Sequence, residues 1–301
     1  MDCFQLRDPL FFANQIVSGL AAGGIFALVA LGFVLIYKAS DVINFAQGDL
    51  LMVGAYVGWA LATSGLPFPA VFALTLVVSG LIGLLIERAI LRPMIGEPII
   101  AVIIVTLGLS SMLRGLTFGT MSTEVKRFPE VFSLAPISLG PLLVPPIYAW
   151  ALVIAALLVA ALTLFFRFSP QGIAMRAAAD DQQAAMSMGI RISWVFGLSW
   201  ALSAAVAAAG GILLGNLTGV NFTLADIGLQ VFPVVILGGL DSIPGAIVGG
   251  LTIGVLQNLA SGYIDPCVGG GLKNVAPFII LVLILMVKPY GLFGRVNIER
   301  V

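Results

Sequence analysis

Seven polar side chains stand in stretches otherwise suited to lipid: Asn44, Gln47 and Asp49 in one, and Asp226, Gln230, Gln257 and Asn258 in the C-terminal third. An unpaired charge at mid-bilayer costs about 2.5–3.5 kcal/mol even on lenient insertion scales, so such groups default to lining a route through the membrane. They are the translocation-path candidates. Asp49 and Asp226 have a second reading as helix N-caps. Catalysis finds little here. The chain has no histidine, no H-E-x-x-H and no nucleophile paired with a base, which argues against an intramembrane enzyme. No G-x-x-x-x-G-K-[ST] occurs either, so this chain has no P-loop to cradle ATP phosphates.

The elements that must position these residues are membrane spans. Of 301 residues, 60% are hydrophobic and 9% charged, and the mean hydropathy is +1.13. Apolar runs near bilayer-crossing length fall at about 10–37, 44–63, 68–87, 98–120, 147–167, 193–217, 227–240, 243–262 and 275–290. The fold class expected is an all-α polytopic integral membrane protein of about eight to ten transmembrane or broken helices, in one domain over 1–301. Two of these runs look broken or re-entrant. The run at 227–240 is short, and "INFAQGDLLMVGAYVG" at 43–58 opens with polar residues that lipid would not accept. The N-terminus lacks a basic n-region and a small-residue cleavage site, so the first apolar stretch reads as a retained helix.

Charge sets orientation. With 168–192 in the cytoplasm, nine basic residues lie inside (Lys38, Arg88, Arg92, Arg167, Arg176, Arg191, Lys288, Arg295, Arg300) and four outside (Arg7, Lys126, Arg127, Lys273). That asymmetry places the N-terminus outside and the C-terminus in the cytoplasm. Arg114 is left in the membrane and reads as snorkelling to the outer interface, while Glu87 and Arg88 read as anchors at an inner boundary. The 14 basic and 14 acidic residues cancel, so no basic field invites nucleic acid. Cys3 and Cys267 stand in no motif; free or incidental thiols are the default reading, with a disulfide between the two as the alternative.

Glycines recur at four-residue spacing, as in Gly19/Gly23, Gly54/Gly58, Gly211/Gly215, Gly245/Gly249 and Gly250/Gly254, which lets helix backbones approach closely in lipid. A weak internal repeat accompanies them. The stretches 30–58 and 236–256 each carry Leu-Gly, a polar turn and a glycine-spaced apolar helix, the pattern of transporters built from repeated halves.

"GIAMRAAADDQQAAMSMGIR" at 172–191 is a polar island. On one helix over 173–188, Arg176, Asp180, Gln183 and Ser187 form a single stripe, with Gly189 as terminator. Such a helix is either a solvated loop or, from its small side chains Ala177, Ala178, Ala179, Ala184 and Ala185, a surface that fits a groove on another protein.

This island resembles the cytoplasmic loop of permease subunits in ATP-binding-cassette importers, and that of the branched-chain amino-acid permease family in particular. The family pattern G-x-x-x-R-A-x-A-x-D-x-x-x-A-x-x-x-G-I is filled by Gly172, Arg176, Ala177, Ala179, Asp181, Ala185, Gly189 and Ile190. A "GVINFA-H/Q-G" motif is matched from Asp41 to Gly48, and "LGG-x-GSIPGA-x-x-GG" from Leu237 to Gly250. "ERAILRP" at 87–93 and "KPYGLFGR" at 288–295 sit where the family has basic turns. Gln47 stands where many members carry histidine, and Asp241 replaces a glycine before Ser242.

The resemblance implies a permease subunit of an ATP-driven importer in the bacterial inner membrane, moving branched-chain amino acids or a related small polar solute inward. It implies cytoplasmic ATP-binding subunits that hold ATP and Mg, with no cofactor in this chain. It also implies a second permease, usually non-identical, and an extracytoplasmic substrate-binding protein, all within membrane lipid. The coupling loop at about 168–192 would carry Gly172, Arg176, Ala177, Asp180, Asp181, Ala184, Ala185 and Gly189 as ATPase-coupling residues. The outer loop at 121–146, with Glu124, Lys126, Arg127 and Glu130, would be the docking area for the binding protein. Urea, short amides and aromatic acids are alternative cargoes of the same machine. A self-contained secondary transporter, cycling a proton on Asp49 or Asp226, would leave the 172–191 pattern unexplained.

Overall fold

The chain's architecture comes from a computed structural model, which describes residues 8–121, 124–129, 137–139, 142–288 and 291–294. Among the described residues, nine helices coincide with the nine apolar runs, in chain order with the shorter elements between them: α1 (Pro9–Ser40), α2 (Gln47–Thr63), α3 (Phe68–Ile86), α4 (Ile99–Thr120), and, after a hairpin of β1 (Ile137–Leu139) and β2 (Leu142–Val144), α5 (Pro146–Phe168). Two short helices follow, α6 (Pro170–Asp180) and α7 (Gln182–Ser187). Then come α8 (Ile192–Thr218), α9 (Ile227–Gly238), α10 (Ile243–Tyr263), the single turn α11 (Asp265–Val268) and α12 (Leu272–Val287). Among the described residues, six segments, Pro9–Ser40, Phe68–Met94, Ile99–Thr120, Pro146–Phe168, Ile192–Thr218 and Ile243–Tyr263, are long and apolar enough to cross a bilayer.

Cα packing divides the chain into two units. The larger comprises residues 31–131 and 157–229. Here α2 and α8 run parallel: Gly54 lies against Ala208 and Gly58 against Ile212. A Cβ at Gly58 would fall 2.8 Å from the Ile212 side chain, so the absence of a side chain allows the approach. α3 packs antiparallel on α8, where a Cβ at Gly83 would meet that of Ala204 at 2.7 Å. α3 then runs through a π-helical turn (Glu87–Leu91) into a 3-10 turn (Arg92–Met94). Glu87 is no interfacial anchor. It is fully buried, and Arg92 grips its two oxygens at 3.2 and 3.0 Å.

The smaller unit comprises residues 1–30, 132–156 and 230–301. The first part of α1 packs antiparallel on α10: a Cβ at Gly19 would stand 2.7 Å from Val255 Cα, and one at Gly23 2.8 Å from the Gly250 carbonyl. The spaced glycines thus act as packing surfaces in both units. Leu292 and Phe293 donate backbone N–H groups to the carbonyls of Leu237 and Gly238, closing the end of α9. Cys267, expected as a free thiol, is disulfide-bonded; Cys3 lies outside the described residues.

Of the two segments read as broken, the first is interrupted ahead of its helix and the second is a short continuous helix. Between α1 and α2, residues 41–46 leave the helical path, and Asp41 takes φ +54°, a left-handed position held by its N–H on the Tyr37 carbonyl at 2.7 Å. The family motif has glycine there. Asp is among the few side chains that tolerate this conformation. α9 has 12 residues with Pro233 inside it, and Ser242 caps α10 by accepting from Gly245 N–H at 3.0 Å. Asp241, the other replacement of a family glycine, keeps a negative φ, so the side chain adds no strain.

Candidate functional site

The larger unit gathers the polar residues of the first break around the start of α2. Asn44, Gln47 and Asp49 are each at most 1% exposed. Asn44 shapes the turn by accepting from Ala46 N–H at 3.0 Å and donating to Gln47 Oε1 at 3.3 Å, while Phe45 N–H donates to Thr106 of α4 at 3.4 Å. The Ser203 hydroxyl of α8 is shared between Gln47 Oε1 and the Gly32 carbonyl, each at 2.9 Å. Gln47 Nε2 is buried without a hydrogen-bond partner against the open face of Gly32. This is a polar seam from α1 through α2 to α8, sealed from lipid.

Two residues beyond Gln47, Asp49 accepts from Ser110 Oγ and from Arg114 Nε, the latter at 3.1 Å. Arg114 also reaches Asp226, with its NH1 3.5 Å from Oδ1. Arg114 therefore bridges two carboxylates from distant parts of the sequence and does not simply snorkel. Asp49 is no N-cap, since it sits inside the first turn of α2. Asp226 closes the 3-10 turn Phe222–Asp226, which Asn221 caps. Ser110, Arg114, Ser203 and Thr106 were not singled out as path residues from sequence. A weak signal existed: Ser110 and Arg114 lie four apart on one face of α4.

The other path candidates fall in the smaller unit. Gln257 is 1% exposed and donates to the Lys273 carbonyl at 2.7 Å, leaving its Oε1 unpartnered. Asn258 is turned back onto its own helix, donating to the Gly254 carbonyl at 3.0 Å. Gln230 is half-buried near the start of α9.

The island differs from the single striped helix expected. Asp181, at φ −158° and ψ 108°, breaks it into α6 and α7 and caps α7 by accepting from Ala184 N–H at 2.9 Å. Arg176 and Asp180 therefore lie on a different helix from Gln183 and Ser187. Ser169 caps α6 through Gly172 N–H at 2.9 Å, and a Cβ at Gly172 would collide with Phe166 Cα at 2.7 Å. Gly189 follows α7 at φ +84°, as its terminator reading requires. Arg176, Asp180, Asp181 and Ala184 are exposed, Ala177 is half-buried, and Gly172 and Ala185 are buried. Ile173, Met186 and Met188, on the same pair of helices or just after it, are exposed too, at 50%, 52% and 84%.

Of the loop at 121–146, residues 124–129 are pinned within the larger unit. Lys126 pairs by backbone with Val220, lies 5.6 Å over the Trp59 ring, and sits 3.7 Å from Glu124; Trp59 Nε1 donates to the Arg127 carbonyl at 3.2 Å. Glu130 lies outside the described residues.

The family described as "Branched-chain amino acid transport system / permease component" matches residues 15–287. A high-affinity branched-chain amino acid transport system permease protein, LivH, of Salmonella typhimurium is 32% identical over 97% of this chain and 98% of its own length. BraD of Pseudomonas aeruginosa, which bears the same description, is 31% identical over 96% and 98%. A probable branched-chain amino acid transport permease, LivH, of Methanocaldococcus jannaschii is 30% identical over 96% and 91%.

Proposed function

Because this chain belongs to the permease component family of branched-chain amino acid transport systems, we propose that it works as one membrane subunit of an ATP-driven importer that carries branched-chain amino acids into the cytoplasm. ATP and Mg are bound by separate cytoplasmic subunits. A second, non-identical permease and an extracytoplasmic binding protein complete the complex, the latter docking on the loop that contains Lys126 and Arg127. The site is the bacterial inner membrane, with the N-terminus outside. The charge asymmetry supports that orientation, and so does the disulfide at Cys267, because disulfides persist on the oxidising side of the membrane.

The observation that carries the coupling role is the α6–α7 pair. It stands between two spanning helices, is capped at both starts, and presents Arg176 and Asp180 among exposed Ile173, Met186 and Met188. Exposed apolar side chains beside polar ones mark a surface that a partner covers, and Met and Arg are enriched at such interfaces. When the ATPase subunits close, a helix pair seated on them moves with them.

Uptake of labelled leucine by cells making the whole complex tests this reading, with Arg176→Glu beside wild type. The expected result is leucine uptake by wild type and, in the variant, loss of uptake together with loss of the co-purifying ATPase subunit. Uptake of urea, an amide or an aromatic acid in place of leucine would keep the machine and change its cargo. Normal uptake by the variant would return the island to a plain solvated loop.

A further inference from the structure

Arg114 stands on α4, a helix long and apolar enough to cross a bilayer, and holds two carboxylates there, Asp49 of α2 and Asp226 of the 3-10 turn Phe222–Asp226. The two ends of this cluster differ. Asp49 is 1% exposed and fixed from α4 by Ser110 and Arg114, whereas Arg114 and Asp226 are 46% and 54% exposed. Arg114 lies six residues before the end of α4, about 9 Å inside it at 1.5 Å per residue. Charges half open at that depth do not face acyl chains without penalty, so the face that carries them borders water or protein, as the wall of a solute path does.

We propose that Arg114 and Asp226 form an openable ion pair that reads both ends of a zwitterionic α-amino acid, Arg114 taking the carboxylate and Asp226 the ammonium group. This rests on the importer reading above. The two arms of Arg114 are unequal: Nε is 3.1 Å from buried Asp49, and NH1 is 3.5 Å from exposed Asp226. Opening the longer arm leaves the guanidinium held by the shorter, with its outer edge free for a carboxylate in the fork geometry that Arg favours. Asp49 and Ser110 are positioning residues in this scheme.

Charge balance makes the cargo specific. A zwitterion inserted between Arg114 and Asp226 replaces one ion pair by two and leaves no charge unpaired. Urea or a neutral amide must break the pair without replacing it. An acid lacking the amine satisfies Arg114 but strands Asp226, and a stranded charge in a poorly solvated site is disfavoured.

The test uses the complete transporter in proteoliposomes, with binding protein outside and ATP supplied to the ATPase subunits, and reads leucine moved per ATP hydrolysed. Asp226→Asn should lower that ratio about tenfold, the scale of a lost charge-assisted contact, while Asp226→Glu stays within about threefold of wild type. An ion pair that only ties helices together would lower uptake and hydrolysis in parallel and leave the ratio unchanged; that result overturns the proposal. If Asp226→Asn does not assemble with its partners, Arg114→Lys decides, since it keeps the charge but loses the fork: a lowered ratio supports the proposal and an unchanged one overturns it. Wild type is measured first. A wild-type transporter that moves an uncharged solute and no amino acid defeats the importer's substrate reading, and this inference with it, before any variant is compared. Leucine transport with an unaltered ratio in the variants defeats the inference alone.

Discussion

Gln182, the first residue of α7, donates its side-chain amide to the backbone carbonyl of Ala39, one residue before the end of α1, across 3.2 Å. The last carbonyls of a helix have no partner within it, so this amide fills a vacancy that α1 itself creates. The contact joins the island to the break. From Ala39 the chain runs through Asp41 and Asn44 to Gln47, and a cavity of about 130 Å³ lined by Gln182, Asn44, Thr106 and Trp200 lies beside the junction. A shift of α7 has a route to the polar seam and room to be taken up.

Removing that amide should loosen the connection without dismantling the complex. Gln182→Met keeps the length of the side chain and loses the donor, worth about 1 kcal/mol or roughly fivefold. Leucine moved per ATP should fall on that scale while the ATPase subunit still co-purifies. Unchanged transport in an assembled complex would show that Gln182 transmits nothing.

Asp41 permits a backbone test. With φ at +54° it occupies the position where the family motif carries glycine. Asp41→Gly should leave the melting temperature of the purified complex unchanged or slightly raised, because glycine adopts this region freely. Asp41→Val should lose about 1–2 kcal/mol, since a β-branched side chain is strained there. Equal melting of the two variants would refute the strain argument.

Gly32 and Gln47 should behave as one unit. A Cβ at Gly32 would overlap the Gln47 amide and stand 3.1 Å from Ser203 Oγ. Gly32→Ala should therefore lower transport by displacing Gln47. In Gly32→Ala/Gln47→Ala the second change should cost far less than it does alone, because residues in contact are not additive. Strict additivity in uptake assays would separate the two positions.

The helices of the described residues that fall on apolar runs were legible because hydropathy does not depend on which helix packs on which. The glycine pairs were legible for a related reason: Gly54 or Gly250 has few uses inside a helix other than close approach. Arg114 was not legible. Its partner Asp49 is 65 residues away, and a single charge in an apolar run says nothing of what faces it. The kink at Asp181 was missed by reading helical period across a residue whose side chain prefers to cap the following turn. Within the island, the run Asp181-Gln182-Gln183-Ala184 carried that signal.

The exposed apolar residues of the island bear on biogenesis. Ile173, Met186 and Met188 are 50%, 52% and 84% exposed on the chain by itself. A copy synthesised ahead of its partners offers that patch to chaperones, to proteases and to other unassembled copies. Under the proposed coupling role, surplus permease would mark itself for removal, and its lifetime in the membrane would follow the supply of the subunit that covers it.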